Sequence, residues 1–189
     1  EHADDGPHLI YVPEVDFSIE GFLGDVERMY KQHGRCLIAV SEGIHGPGGE
    51  PIITSGEVDS HGNMQLSGSG ALGDFLSAKV KEGLGKGLRV RADTFGYLQR
   101  SFAGYFSETD ASEARECGRK AMTVALAGDR QHGSIFMARE DADVYRIGYE
   151  VTELRNVAKE TRDMEAHFLK GHCDIDEKFL DYVRPLVGK

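Results

Sequence analysis

Glu42 stands directly after the apolar run Cys36-Leu37-Ile38-Ala39-Val40, and Tyr97 and Arg100 stand just past the alternating stretch 88–95. In an open parallel sheet, ligands sit at the carboxyl ends of the strands, so polar residues placed right behind apolar strands are the first candidates for binding. A carboxylate accepts hydrogen bonds from sugar hydroxyls, while a guanidinium and a phenol together clamp a phosphate, the guanidinium bidentately. These three side chains therefore have the chemistry to hold a sugar phosphate. A Glu or Arg after a strand is more often a solvated loop residue, and spacing alone leaves both readings open.

Two other patterns compete. Gly68-Ser69-Gly70-Ala71-Leu72-Gly73 matches the GxGxxG dinucleotide fingerprint, opens a helix and has Asp93 about 20 residues further on. The fingerprint also needs a preceding buried strand, and the polar turn Asp59-Ser60-His61-Gly62-Asn63 stands there instead. Glycines that let a helix start pack closely are the better account. His167, His172 and Cys173, or Asp174 with Asp176, offer metal-ligand chemistry. The two histidines are five residues apart, off one helical face, and no second cluster completes a tetrahedral set. They read as solvated surface residues, and no metal site is expected in this chain.

The elements that must position Glu42, Tyr97 and Arg100 follow from periodicity. Ser18 is a good N-cap, and Ile19, Phe22, Leu23, Val26, Met29 and Tyr30 form one helical stripe that Gly34 closes. Residues 36–40 then suit a short, wholly buried strand, followed by the loop 45–51, whose Gly and Pro content offers many conformations and little packing. A second helix is expected over 71–84, ended by Gly85 and Gly87, and a strand over 88–95 from its period-2 alternation. A third helix starts near Ser107 or Asp110 and carries the small residues Ala111, Ala114, Cys117, Gly118, Ala121 and Ala125. Residues 134–138 read as a strand, 150–159 as a helix, and 176–182 as a helix ending before Pro185. Helices alternating with buried strands predict an α/β protein, a three-layer sandwich with a mostly parallel sheet.

Composition narrows the classes. The chain has 189 residues, 40% of them hydrophobic, enough for a substantial core, and no apolar run approaches a membrane span. Its net charge of −10 repels polyanions, which argues against nucleic-acid or anionic-membrane partners. Three widely spaced cysteines give no disulfide framework. An acidic, polar start is the wrong chemistry for a signal peptide, so a cytoplasmic protein is expected.

Phe95-Gly96-Tyr97-Leu98-Gln99-Arg100 resembles the glycine-aromatic-x-glutamine-arginine segment of the phosphofructokinase family, and Ala39-Val40-Ser41-Glu42-Gly43 is similar to that family's strand ending in a glutamate. Val12-Pro13-Glu14, the turn 59–66, and Ser107-Glu108-Thr109-Asp110 with Glu113, Ala114 and Gly118 resemble further family segments in the same order. Five ordered segments are more specific than any one motif, and the wording looks closest to the short bacterial pyrophosphate-dependent enzymes.

The resemblance implies that Glu42, Tyr97 and Arg100 contact fructose 6-phosphate. It also implies that Arg91 reaches a neighbouring subunit's sugar phosphate in a homo-oligomer. Tyr97 stands where many relatives carry histidine, consistent with the pyrophosphate-using branch. The family's glycine-rich donor loop, its threonine-x-aspartate-asparagine-aspartate segment and its methionine-glycine-arginine segment do not occur in this sequence. Residues 1–189 are thus expected to be the sugar-phosphate-binding region of a 6-phosphofructokinase, with no catalytic residue of their own. Pyrophosphate is favoured over ATP as donor, and Mg2+ is held by residues outside this chain. A fragment, a proteolysed chain or one subunit of a pair would each account for this, and a metabolite-sensing module that has lost catalysis is the alternative.

Overall fold

The computed structural model describes residues 5–53, 70–96, 102–128, 130, 132–140, 144–158 and 161–187. The chain is α/β and divides into two compact units, Glu1–Ser101 with Glu165–Asp176, and Phe102–Met164 with Glu177–Lys189.

In the first unit, β1 (Leu9–Tyr11) and β2 (Ile38–Val40) run parallel, with Leu9 opposite Ile38 and Tyr11 opposite Val40. Parallel neighbours need a crossover, and α1 (Ile19–His33) supplies it. Ser18 Oγ accepts from the Gly21 N–H at its start, and Gly34, left-handed at φ 68°, donates its N–H to the Tyr30 carbonyl at its end. Both caps fall where the sequence places them. Phe22 and Val26 from the helix stripe join Leu9, Tyr11, Phe17 and Ile44 in the core, with Leu76 and Val80 from α2 (Ala71–Leu84). On the far side of β1, the Ile10 N–H donates to the Cys173 carbonyl at 2.8 Å. The segment Glu165–Asp176 thereby lies along the strand's free edge.

Three expectations for this unit change. Residues 36–40 are not wholly buried: Leu37 and Ala39 are exposed, while Ile38 and Val40 face the core. The loop 45–51 is closed rather than loose, through a bridge between His45 and Pro51, a bond from Gly46 N to the Glu50 carbonyl, and one from Phe17 N to the His45 carbonyl. No ladder forms over the described part of 88–95, so the expected strand is absent there. Leu88 and Val90 pack on the core and the arginines between and after them point outward, so the alternation is real. A strand, however, also needs a neighbour to receive its backbone bonds.

The 88–95 segment is instead packed against α2. A Cβ at Gly73 would lie 2.8 Å from the Ala92 Cβ, closer than real side chains approach. Gly73→Leu is therefore expected to destabilise the protein by about 1–3 kcal/mol, read as a lowered urea midpoint. A midpoint equal to wild type would show that this close approach is not required.

The second unit holds α3 (Glu108–Ala127), the antiparallel pair β3 (Ser134–Arg139) and β4 (Ile147–Thr152), and α4 (Glu177–Val187). Ser107 Oγ caps α3 by accepting from the Asp110 N–H. The Arg139 guanidinium lies between the rings of Tyr145, at 4.6 Å, and Tyr182, at 4.1 Å, and donates to the Tyr182 carbonyl. The Tyr145 hydroxyl donates to Glu113, and burial together with that carboxylate pushes its pKa up to about 12.

Two expectations are corrected in this unit. The described part of the expected helix 150–159, residues 150–158, is not an α-helix: β4 occupies its first part and a 3-10 turn, Leu154–Asn156, follows. Ile147, Tyr149 and Val151 alternate, and a paired partner in β3 makes that period decisive. The last helix does not stop before Pro185 but carries it inside the final turn. There the missing N–H leaves the Asp181 carbonyl one turn back without its usual donor, while the Pro185 carbonyl, one of the last four that have no donor within the helix, accepts from the Thr109 hydroxyl at 3.1 Å.

No helix among the described residues is long and apolar enough to cross a membrane.

Candidate functional site

Because β1 and β2 are parallel and in register, the chain leaves both at the same edge. Val12-Pro13-Glu14 emerges from one strand and Ser41-Glu42-Gly43 from the other. The Ser41 N–H donates to the Tyr11 carbonyl at 3.0 Å, carrying the pairing one residue past the strands. Ser41 Oγ then accepts from the Gly43 N–H at 3.2 Å and shapes the turn that holds Glu42. A Cβ at Gly43 would sit 3.5 Å from that of Pro13, so the two exits pack on one another. Glu42 is half-buried at this carboxyl edge, where an α/β sheet binds ligands. A carboxylate there can accept hydroxyl protons in hydrogen bonds and orient a sugar.

Arg91 lies exposed on the segment packed against α2. Tyr97 and Arg100 lie outside the described residues. Of the four sequence-derived candidates, the structure therefore positions Glu42 at a strand end and Arg91 at the surface of the same unit. Within the glycine-rich run, Gly70 caps α2 at φ 68° and Gly73 admits the close approach of Ala92. Gly73 thus serves close packing, and Gly70 supplies the left-handed conformation at the helix start.

A polar cluster that sequence reasoning missed lies behind β1. Asp25 sits on the buried face of α1, with its side chain 9% exposed. The Tyr11 hydroxyl donates to its Oδ2 at 3.0 Å, His172 Nε2 meets the same oxygen at 2.6 Å, and Arg28 donates to Oδ1 at 2.7 Å. Burial by itself would raise the Asp25 pKa, but the bonds from Arg28, His172 and Tyr11 outweigh it and hold the carboxyl below its ordinary value. The same burial, with the Asp25 charge beside it, drives Tyr11 well above the usual phenol range and raises Cys173. His172 is thus bound to a buried carboxylate and is not simply a solvated residue, which corrects the expectation from sequence. The available signal was a charged residue on the apolar stripe of α1, between Phe22 and Val26.

Magnesium prefers oxygen ligands in near-octahedral array. Among the described residues, the His, Cys and carboxylate groups that converge are Asp25, His172 and Cys173, whose imidazole and thiol do not suit that ion.

The first unit is thus a parallel βαβ unit with a carboxylate at its carboxyl edge, the place where α/β proteins bind ligands. A family model described as phosphofructokinase matches residues 3–125, and the chain belongs to that family. It is 50% identical over 192 residues to the pyrophosphate–fructose 6-phosphate 1-phosphotransferase of Rhodospirillum rubrum, covering 98% of this chain and 46% of that protein. Identity to the protein of the same name from Xanthomonas campestris pv. campestris is 34%, covering 97% of this chain and 43% of the relative. The crystal structure of a pyrophosphate-dependent phosphofructokinase from Marinobacter aquaeolei superposes with a TM-score of 0.76 at 27% identity, over all of this chain and 42% of that one. The chain spans about half the length of the curated relatives it matches.

Proposed function

We propose that this chain is the fructose 6-phosphate-binding region of a 6-phosphofructokinase that takes pyrophosphate as phosphoryl donor. The observation that carries the proposal is Glu42 at the carboxyl edge of a parallel pair, in a family member half-identical to an enzyme named for that reaction. Glu42 holds sugar hydroxyls, Tyr97 and Arg100 hold the 6-phosphate, and Arg91 reaches the sugar phosphate of a neighbouring subunit in a homo-oligomer. The full fold is a three-layer sandwich on a mostly parallel sheet, to which β1 and β2 contribute. The donor site, the catalytic base and the ligands of Mg2+ belong to other residues of the intact cytoplasmic enzyme.

Phosphoryl transfer is catalysed mainly by positioning and charge neutralisation. The contribution of this region is to fix the sugar so that its reacting hydroxyl points at the donor.

The test is turnover by the intact protein, with fructose 6-phosphate as acceptor and pyrophosphate or ATP as donor. Fructose 1,6-bisphosphate should form with pyrophosphate, and Glu42→Ala should raise the half-saturating fructose 6-phosphate concentration by about 10-fold or more, the worth of one charged hydrogen bond. Binding of the sugar phosphate without turnover under either donor would favour the metabolite-sensing module instead.

A further inference from the structure

Asp25, His172 and Cys173 come from two separate stretches of chain, yet one ligand atom of each lies within 4.8 Å of the other two. Each is held by its backbone. Asp25 lies within α1, beneath the core. His172 and Cys173 occupy a turn that follows the left-handed Gly171, closed by the Leu169–Ile175 bridge and the bond from Lys170 N to the Asp174 carbonyl. The Ile10 N–H fixes the Cys173 carbonyl to β1.

The donors are one carboxylate oxygen, one imidazole nitrogen and one sulfur. That set suits a borderline transition metal and not a hard cation. Around tetrahedral zinc, with nitrogen and oxygen at about 2.0–2.1 Å and sulfur at about 2.3 Å, such atoms stand about 3.4–3.6 Å apart. Asp25 Oδ2 and His172 Nε2, now hydrogen-bonded at 2.6 Å, must part slightly, and Cys173 Sγ lies within 4.8 Å of the other two ligand atoms. The His172 side chain is 59% exposed and can make that adjustment. Arg28 occupies the other carboxylate oxygen at 2.7 Å and Tyr11 donates from the core side. They orient Asp25 as outer partners orient metal-bound carboxylates.

We propose that Asp25, His172 and Cys173 form a three-ligand Zn2+ site, with the fourth position open to water. The ion takes the place of the Nε2 proton of His172 and of the thiol proton of Cys173; the thiol proton passes to solvent, and the imidazole ligates in its neutral form with its one proton on Nδ1. Its effect is to clamp the segment Glu165–Asp176 onto α1 and β1. The site is independent of sugar-phosphate binding.

The test is a titration of the intact, EDTA-stripped protein with Zn2+ against a chromophoric chelator, and with Co2+ in a spectrophotometer. One equivalent of zinc per chain should bind, and cobalt should give a near-ultraviolet thiolate charge-transfer band. Cys173→Ser should abolish the band, and both Cys173→Ser and His172→Gln should weaken zinc by about 100-fold. Cys117→Ser, in the other unit, should change neither. Should Cys173→Ser fail to fold, the exposed His172→Gln position carries the zinc test by itself. Absence of saturable zinc binding, or affinity unchanged in a folded His172→Gln or Cys173→Ser protein, overturns the proposal.

Discussion

Replacing Arg100 by alanine in the intact protein is expected to raise the half-saturating concentration of fructose 6-phosphate by about 100-fold, while the value for the phosphoryl donor moves by less than about 2-fold. A guanidinium presents two parallel donors to a phosphate, and removing one partner of a desolvated, charged pair costs about 3 kcal/mol, mostly through the charge left unpaired. Fructose 6-phosphate keeps its 6-phosphate through the reaction, so this contact acts on binding in ground and transition states alike and the turnover number should fall far less. Arg100→Lys keeps the charge but loses the fork, and should land between, about 10-fold above wild type. Steady-state kinetics with each substrate varied in turn separates the outcomes. Equal effects on acceptor and donor would remove Arg100 from the sugar-phosphate site.

The features legible in the sequence were those decided locally. Ser18 and Gly34 bracket α1 because a cap is a contact between a residue and its near neighbours, and Ser107 marks α3 for the same reason. Glu42 was legible as a strand-end residue, because an apolar run followed by a polar turn needs no knowledge of the partner strand. The expected strand over 88–95 failed at the opposite kind of property. Its alternation correctly sorts Leu88 and Val90 from Arg89 and Arg91, but no neighbour among the described residues offers it a ladder. Residues 150–159 failed for the converse reason, since β3 is available and takes Ile147–Thr152 as its partner. Asp25 and His172 meet across 147 residues, a distance over which no periodicity speaks. The Tyr97–Arg100 segment, the most specific in the sequence, falls outside the described residues, so its part in the site rests on the family resemblance.

Asp25→Ala is expected to destabilise the first unit by about 3 kcal/mol, measured by urea unfolding of the intact protein in EDTA so that no bound metal contributes. Arg28 and His172 are more than half exposed and can return to water. The Tyr11 hydroxyl cannot, and a buried polar group left unsatisfied costs about 1–3 kcal/mol. The helix also loses the tie to the 165–176 segment. Tyr11→Phe alone should cost about 1 kcal/mol, and adding it to Asp25→Ala should recover part of the loss, because the orphaned hydroxyl leaves with it. The charge can be separated from the hydrogen bonds by pH. Asp25 has a native pKa below its unfolded value, so its contribution is complete above about pH 5, beyond the ordinary aspartate value of about 3.9, and is lost as pH falls through the lowered native value. Asp25→Asn should keep an acceptor for Tyr11, cost about 2 kcal/mol at neutral pH, and lose that share of the acid-side slope. An Asp25→Ala midpoint within about 0.5 kcal/mol of wild type would mean that Asp25 does not fasten the segment to the sheet, since surface substitutions away from such features fall in that range.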